Sequence, residues 1–391
     1  MNTPIQDSID RFLKEKGKGR GGESGSYRRD AARELERFQD WLKSAPSALE
    51  TDPTGANEGR EPHPSDLDDR VFREYASYLS GLDLSPATVQ TYYSYVSAWV
   101  GWLQRNGEID RHYAATDRAR EPLPEDDGRR PGDQQMWSSE QRDALLKHTS
   151  EQVDTAVDRL EGTAFQDDLE KQRAEYKAIL AARDRALVAM VAYSGIRGAE
   201  FLRDPDDDRP ERQGARWKDL SLEDQSIEVY SKAQEWDSRG LPEPVIHPLQ
   251  QYKRLLDPPK TWPVFPTFHA PTVTGVVEDL EDRRGDFARD LFLARKVSRD
   301  VPALSTNGAR RILSRLTEEA GINVDGEHDH LVLHGGRRGM GEVMVRKYGY
   351  AAAARFLDNS EKMVRDHYSH IEAGEKADLA TKALEETDQQ V

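Results

Sequence analysis

The sequence predicts a mainly α-helical protein with one small antiparallel β-sheet, divided into a helical front domain and a mixed rear domain. Apolar residues recur at the helical period along much of the chain, as at Ala31, Leu35, Phe38 and Leu42. Strand-like alternation is confined to Leu220 to Tyr230, where Ile227 and Val229 alternate with polar neighbours. Between the two regions lies a stretch rich in proline, glycine and charge that has no period. The expected division is an N-terminal arm at 1–25, a helical domain at 26–110, a linker at 111–134, and a second domain with a C-terminal tail at 135–391.

The front elements follow in order. A short amphipathic piece (Ile5, Ile9, Phe12, Leu13) precedes a Gly/Ser/Lys stretch, Gly17 to Ser26, of linker composition. The Ala31 to Leu42 helix comes next, then a polar loop through Pro62 and Pro64, then a helix with Leu67, Val71, Tyr75 and Leu79. Ser85 followed by Pro86 is a helix start, a capping oxygen and a proline at the first helical position. That helix carries Val89, Tyr93, Val96, Val100 and Leu103 on one stripe and Tyr92, Tyr95, Trp99 and Trp102 on another. Such aromatic density reads as packing before base stacking. Asn106 and Gly107 end it.

The rear opens at Trp137, with Ser138 or Ser139 as cap, and continues as a charged helical stretch from Glu151 to about Lys177. The apolar helix Ala182 to Tyr193 breaks at Ser194 and Gly195. Two short strands are expected within Leu220 to Tyr230, a turn at Lys232 to Gly240, and a third strand beginning at Pro242 to Ile246. From Asn307 onward the pattern is helical again, and the tail after Ile371 (Ala377, Leu379, Ala380, Leu384) is amphipathic.

Composition limits the function classes. The 391 residues are 36% hydrophobic and 33% charged, enough to build cores in a very polar chain. The absence of cysteine excludes disulfides and thiolate metal sites and fits a reducing compartment. No apolar run approaches the ~20 residues that span a bilayer, and Met1 to Ile9 lacks a signal-peptide core. A soluble, cytoplasmic protein without a membrane partner is expected. A net charge of −16 opposes wholesale binding to nucleic acid, because phosphate contacts need cations. That objection concerns the average only. The 56 basic residues are 40 Arg and 16 Lys, a bias toward the side chain that grips phosphate bidentately. They cluster at Lys14 to Arg20, at Arg310 with Arg311 and Arg315, and at Arg337 with Arg338, Arg346 and Lys347. Each cluster alone reads as a solvated face or as a phosphate-binding one. An acidic surface poor in lysine suits a salt-rich cytoplasm, and a halophilic source is the expectation.

The last fifth of the chain carries the chemistry. His334 and Arg337 are three positions apart, so both lie on one face of a helix or turn and can address one anion. Tyr368, between His367 and Ser369-His370, is a nucleophile candidate. With Arg197 and Lys232 the set suits metal-free cutting and rejoining of a phosphodiester. Two guanidiniums stay charged at any working pH and neutralise the charge that attack builds on phosphorus. Arg197 taken alone reads equally as a helix C-terminal cap after Gly195. His328, His330 and His334 near Asp329 invite a metal reading, but no matching ligand set occurs elsewhere. No Walker loop or dinucleotide fingerprint is present. No metal and no cofactor are expected. Asp204 and Asp206 to Asp208 read as an acidic surface loop.

In these residues the chain resembles the tyrosine recombinases, the lambda-type integrases and Xer-like resolvases. The resemblance lies in Tyr193 to Leu202 around Arg197, in Arg216-Trp217-Lys218-Asp219-Leu220 running into the hairpin with Lys232 and Arg239, and in Val264-Phe265-Pro266. It continues in the His334 to Arg337 box and in Leu357 through Tyr368, all in the family's order, and spans roughly Ser26 to Ile371. It implies a SAM-like helical core-binding domain in front of a catalytic domain, the two clamping duplex DNA. The implied activity is site-specific recombination, as by the integrase of a virus or mobile element, through a 3′-phosphotyrosyl intermediate on Tyr368 that conserves bond energy without ATP.

In that scheme Arg197 and Arg337 hold the phosphate, Lys232 protonates the departing 5′ hydroxyl, and His334 accepts or shares the tyrosine proton. Glu200 orients its neighbours. Asn359 stands where the family places a histidine or tryptophan; it can donate a hydrogen bond but cannot be protonated. Arg239, Arg310, Arg311 and Arg338 are candidate DNA contacts. Implied partners are double-stranded DNA and three further copies of the chain, a homotetramer on paired sites with the C-terminal tail exchanged between protomers. Two alternatives stand beside this reading: a type IB topoisomerase relaxing supercoils as a monomer, and a DNA-binding protein of the same fold that has lost catalysis, which Asn359 and the acidic surface would suit.

Overall fold

The computed structural model describes residues 4–19, 21–44, 62–126, 134–278, 287–326 and 328–388. Two compact units result, Met1–Arg129 with Asp206–Arg209, and Arg130–Pro205 with Pro210–Val391.

The front unit holds α1 (Ile5–Lys16), α2 (Ser26–Ser44), α3 (Asp69–Ser80), α4 (Pro86–Arg105) and the short α5 (Asp117–Arg120). Asp68 caps α3 by accepting from the N–H groups of Arg70 and Val71. Ser85 caps α4 by accepting from the N–H of Thr88 at 3.3 Å, with Pro86 at the first helical position. The apolar stripes converge on an aromatic core: Phe38, Phe72, Tyr75 and Trp99 are all fully buried, and Phe38 meets Tyr75 edge-on at 4.9 Å.

Both expected boundaries of this unit move. Within the expected arm, α1 is a packed part of the bundle, because it buries Ile5, Ile9, Phe12 and Leu13 in the same core as α2 and α4. Much of the 111–134 stretch is packed as well. A 3-10 turn at Tyr113–Ala115 precedes α5, Ala114 and Ala119 are fully buried, and the Tyr93 hydroxyl donates to the Ala114 carbonyl at 2.8 Å. Gln90 reaches as far as the Pro124 carbonyl, also at 2.8 Å.

The rear unit runs α6 (Ser139–Gly162), α7 (Asp168–Tyr193), α8 (Gly198–Phe201), β1 (Leu220–Ser221), β2 (Ser226–Tyr230), β3 (Trp236–Gly240), α9 (Glu243–Leu256), α10 (Ala270–Val276), α11 (Phe287–Lys296), α12 (Thr306–Glu319), α13 (Leu333–Leu357) and α14 (Glu361–Asp388). Ser138 caps α6 in a reciprocal box with Gln141, both bonds at 3.1 Å. The charged stretch expected as one helix is shared by α6 and α7, which break between Gly162 and Asp168. The stretch Ala186 to Ala192 of α7 is buried on all sides and forms the centre of the unit. In the Asp206–Arg209 segment, which belongs to the front unit, Asp207, expected on a surface loop, is buried against Arg209, with Nη2 and Oδ2 2.6 Å apart.

The sheet is antiparallel in the order β1-β2-β3, with Ile227 opposite Leu220 and Arg239, and Val229 opposite Asp237. Ile227 and Val229 face the core. The third strand is therefore Trp236–Gly240, inside the expected turn, and Pro242 caps α9 instead of starting a strand. An edge strand needs no apolar alternation, which is why its polar text conceals it.

α13 is interrupted at Gly349 (φ 77°) and α14 at Tyr368 (φ −117°, ψ 18°). A separate small cluster, Val345, Ala353, Ala354, Leu357, Val364, Tyr368 and Ile371, fills the angle between these two helices. α14 extends the backbone to Asp388. Ala380 on it is exposed, while the side chains of Ala377, Leu379 and Leu384 lie outside the described residues. No described helix is long and apolar enough to cross a membrane.

Candidate active site

Gly195, in the left-handed region at φ 66°, turns the chain sharply out of α7 and delivers Arg197 to the start of α8. A side chain there would also lie 2.6 Å from the ring of Phe356. Glu200, buried at the third position of α8, accepts the Arg197 backbone N–H at 3.1 Å and its Nη1 at 3.0 Å. The carboxylate thus fixes both ends of the arginine.

Arg337 enters from near the N-terminal end of α13 and is 5% exposed. Its guanidinium donates to the carbonyls of Gly195 and Leu357. Its Nη2 also reaches Asn359 Oδ1 at 3.3 Å, while Arg197 Nη2 reaches the same oxygen at 2.8 Å. Two guanidiniums from distant parts of the sequence therefore point at one acceptor. Burial first, then the neighbouring Arg197 charge, pulls the Arg337 pKa down to about 10, with Glu200 opposing the shift. Arg337 remains a cation at neutral pH.

Asp358 follows α13 in the left-handed conformation (φ 49°). Its Oδ2 accepts from Arg239 Nη2 at 2.6 Å and lies 3.9 Å from Arg197 Nη1, and its carbonyl accepts from Arg197 Nη2 at 3.4 Å. Arg239 also pairs with Asp237 at 3.1 Å. A third arginine, carried by β3, is thereby drawn beside the first two, and one acid neutralises part of their charge.

His334 sits at the start of α13 with an exposed side. Enclosure by protein, then the charges of Arg338, Arg337, Arg197 and His367, push its pKa down to about 4. Water at the exposed side weakens the first cause, so the downward direction rests chiefly on the cations. His334 is neutral at pH 7. Because its folded pKa lies below the ordinary 6.5, the unfolded chain binds the extra proton first as pH falls. Its contribution to stability is complete above about pH 6.5 and is lost as pH drops toward 4. The thermal midpoint of the protein should fall across that window, and His334→Gln should fall less; equal falls would show that His334 does not titrate there.

Tyr368 is 4% exposed, packed in the small cluster, and its hydroxyl donates to the Arg338 carbonyl at 3.0 Å. Burial raises its pKa to about 12, opposed by Arg337 and Arg338. His370 places its ring 6.5 Å from that of Tyr368. His367 is exposed and enters through its effect on His334.

Among the sequence candidates, Arg197, Glu200, Arg337 and Asn359 are joined by direct bonds, Arg239 joins them through Asp358, and His334 and Tyr368 lie within their electrostatic reach. Lys232 is exposed in the β2–β3 turn, with no bond to this cluster among the described residues. Arg310 and Arg311 lie exposed on α12, Arg310 donating to Asn307. Arg338 is half-buried and donates to the Gln135 carbonyl at 3.2 Å. Arg315 is committed to Asp184 and Glu319. Sequence reading missed Asp358, because the residue usually found at a left-handed helix cap is glycine. It also missed Gln135, for which no sequence signal exists.

No family model matches the chain, and no curated protein matches it. Solved structures do. The chain is similar to the XerH site-specific recombinase bound to difH substrate, with TM-score 0.54, 15% identity, and 96% of this chain and 97% of that one covered. It is similar to the Tn1549 transposon integrase in complex with transposon right end DNA (TM-score 0.51, 11% identity, 94% and 95% covered). A lambda integrase dimer bound to a COC′ core site gives TM-score 0.51, 12% identity, and 94% and 95% coverage. The chain has the tyrosine recombinase fold, mainly helical with one three-stranded antiparallel sheet.

Proposed function

We propose that the protein is a site-specific recombinase that cleaves and rejoins double-stranded DNA through Tyr368. The observation that carries this is the pair Arg197 and Arg337 directed at a single oxygen of Asn359, beside a tyrosine bonded to the next residue of the same helix. A phosphate oxygen presents the same kind of acceptor with more charge, so two guanidiniums already converging on one oxygen suit a phosphodiester. The Asn359 amide nitrogen then supplies a donor that does not titrate.

In the proposed reaction the Tyr368 oxygen attacks phosphorus, the bond from phosphorus to the 5′ oxygen breaks, and the phosphate remains on the 3′ end as a phosphotyrosine. The phenol proton passes to His334, which is neutral and whose affinity for a proton rises once a bound phosphate offsets the cations around it, and Lys232 gives a proton to the departing 5′ oxygen. Rejoining is the reverse. A phenol with a pKa of about 12 keeps its proton until attack begins, so a base is needed in that step. Support for DNA as partner comes from the three similar proteins, whose structures contain substrate, transposon-end or core-site DNA. The proposed working assembly is a homotetramer on two sites, with α14 supplying the exchanged tail.

The test is a pool of randomised duplexes carrying a nick beside the variable region, so that the short 5′ fragment diffuses away after cleavage. A complex stable to denaturant should form, nuclease digestion should leave a nucleotide tag on Tyr368, and Tyr368→Phe should form none. A tag elsewhere, or trapping by the phenylalanine variant, would overturn the assignment. Relaxation of supercoiled DNA lacking paired sites would move the reading to a topoisomerase.

Asp358 bears on affinity. Its carboxylate occupies Arg239 and approaches Arg197, so DNA must compete with it. Asp358→Asn should bind duplex DNA more tightly at low salt, and the plot of log affinity against log salt should steepen by about one, the value for one further phosphate contact. An unchanged slope in a binding titration would show that the acid does not compete.

A further inference from the structure

The first residues of the rear unit described after 133 lie across the start of α13, and they touch the candidate site at three points. Gln135 uses its side-chain amide twice: Nε2 donates to the His330 carbonyl at 2.8 Å, and Oε1 accepts the Val332 N–H at 2.7 Å. Val332 is the N-cap of α13 and no side chain of its own caps that helix, so Gln135 fixes the entry to the helix from outside. Trp137, almost wholly buried, donates from Nε1 to the Val332 carbonyl at 3.0 Å and from its backbone to the Gly335 carbonyl at 3.1 Å. A Cβ at Gly339 would collide with the Trp137 carbonyl, so the strap and helix are in backbone contact. Met136, between them, packs against the cluster that encloses Tyr368.

The third point is Arg338. Its guanidinium donates to the Gln135 carbonyl at 3.2 Å, and its own carbonyl accepts the Tyr368 hydroxyl at 3.0 Å. One residue is bonded to the strap through its side chain and to the nucleophile candidate through its backbone.

We propose that Gln135 is a positioning residue for strand cleavage, the strap Gln135–Trp137 setting the place of Arg338 and, through its carbonyl, that of the Tyr368 hydroxyl. The inference rests on the reading of Tyr368 as nucleophile. It gives the segment entering the rear unit a direct mechanical link to the reacting oxygen. Gln135 itself is not among the residues proposed to hold DNA, so its loss should weigh on the cleavage step more than on affinity. A displacement of the order of 1 Å at a reacting atom costs up to about a hundredfold in rate.

The experiment measures single-turnover formation of the covalent complex and, separately, the Kd for the same duplex, in wild type, Gln135→Ala, Gln135→Glu, Arg338→Met and Gln135→Ala/Arg338→Met. Gln135→Glu keeps the acceptor for Val332 and loses the donor to His330. Cleavage should slow about tenfold or more in Gln135→Ala and by an intermediate amount in Gln135→Glu, with Kd within about twofold of wild type. The double variant should be no slower than Arg338→Met alone, because both changes break one link. Cleavage at the wild-type rate in Gln135→Ala, multiplied effects in the double variant, or a rise in Kd matching the rate loss would each overturn the proposal. Failure of the wild type itself to form a complex would overturn the reading of Tyr368 instead.

Discussion

Replacing Arg337 with lysine should leave a folded protein that forms the covalent DNA complex at least a hundredfold more slowly, and replacing it with alanine should abolish the complex and lower the thermal midpoint. The two effects have separate causes. Arg337 is buried and joins Gly195, at the exit of α7, to Leu357, at the end of α13. Alanine leaves two buried carbonyls without a donor, each costing about 1–3 kcal/mol. Lysine restores a charge but presents one compact ammonium, which cannot bond both carbonyls and a phosphate oxygen in the plane a guanidinium spans. A single donor removed from a site of developing negative charge costs about a hundred- to a thousandfold in rate. Thermal melts and single-turnover cleavage on the nicked pool, run side by side, separate the contributions. If Arg337→Lys cleaved at the wild-type rate, Arg337 would be a structural cation only.

The same residue shows how much was legible in the sequence. Arg337 stands out because His334 and Arg337 share a helical face, a relation that three positions of sequence express directly. The stripe Ala31, Leu35, Phe38, Leu42 and the Ser85-Pro86 start are local in the same sense, and local periodicity and capping are what a single sequence records. Asn359 is another matter. Its role as the oxygen shared by two arginines arises because α13 returns Leu357 and Asn359 to the exit of α7, and that return depends on the break at Gly349 and on tertiary packing. β3 was misplaced because Trp236 to Gly240 pairs through its backbone and has no buried stripe to display. The 111–134 stretch read as linker because its buried side chains, Ala114 and Ala119, are small and stand among charges. The strap at Gln135 bonds backbone groups about two hundred positions away, and no spacing rule reaches that far.

Gly341→Ala should cut cleavage by about a hundredfold while leaving DNA affinity unchanged. A Cβ at position 341 would collide with the Tyr368 hydroxyl, stand 2.8 Å from its Cζ, and stand 2.9 Å from a methyl of Leu357. One of the two neighbours must move. Leu357 is held, since its carbonyl receives Arg337 and its side chain is 2% exposed. Tyr368 lies where the helical geometry of α14 is interrupted, so its ring is the easier to displace, and its bond to the Arg338 carbonyl is the first to go. Overpacking of this kind costs about 1–3 kcal/mol. The cause can be checked without any DNA: in Gly341→Ala/Tyr368→Phe the colliding oxygen is absent, so the double variant should be more stable than the sum of the single changes. Additive losses of stability would mean that the clash is absorbed at Leu357, and Gly341→Ala would then be expected to cleave at the wild-type rate.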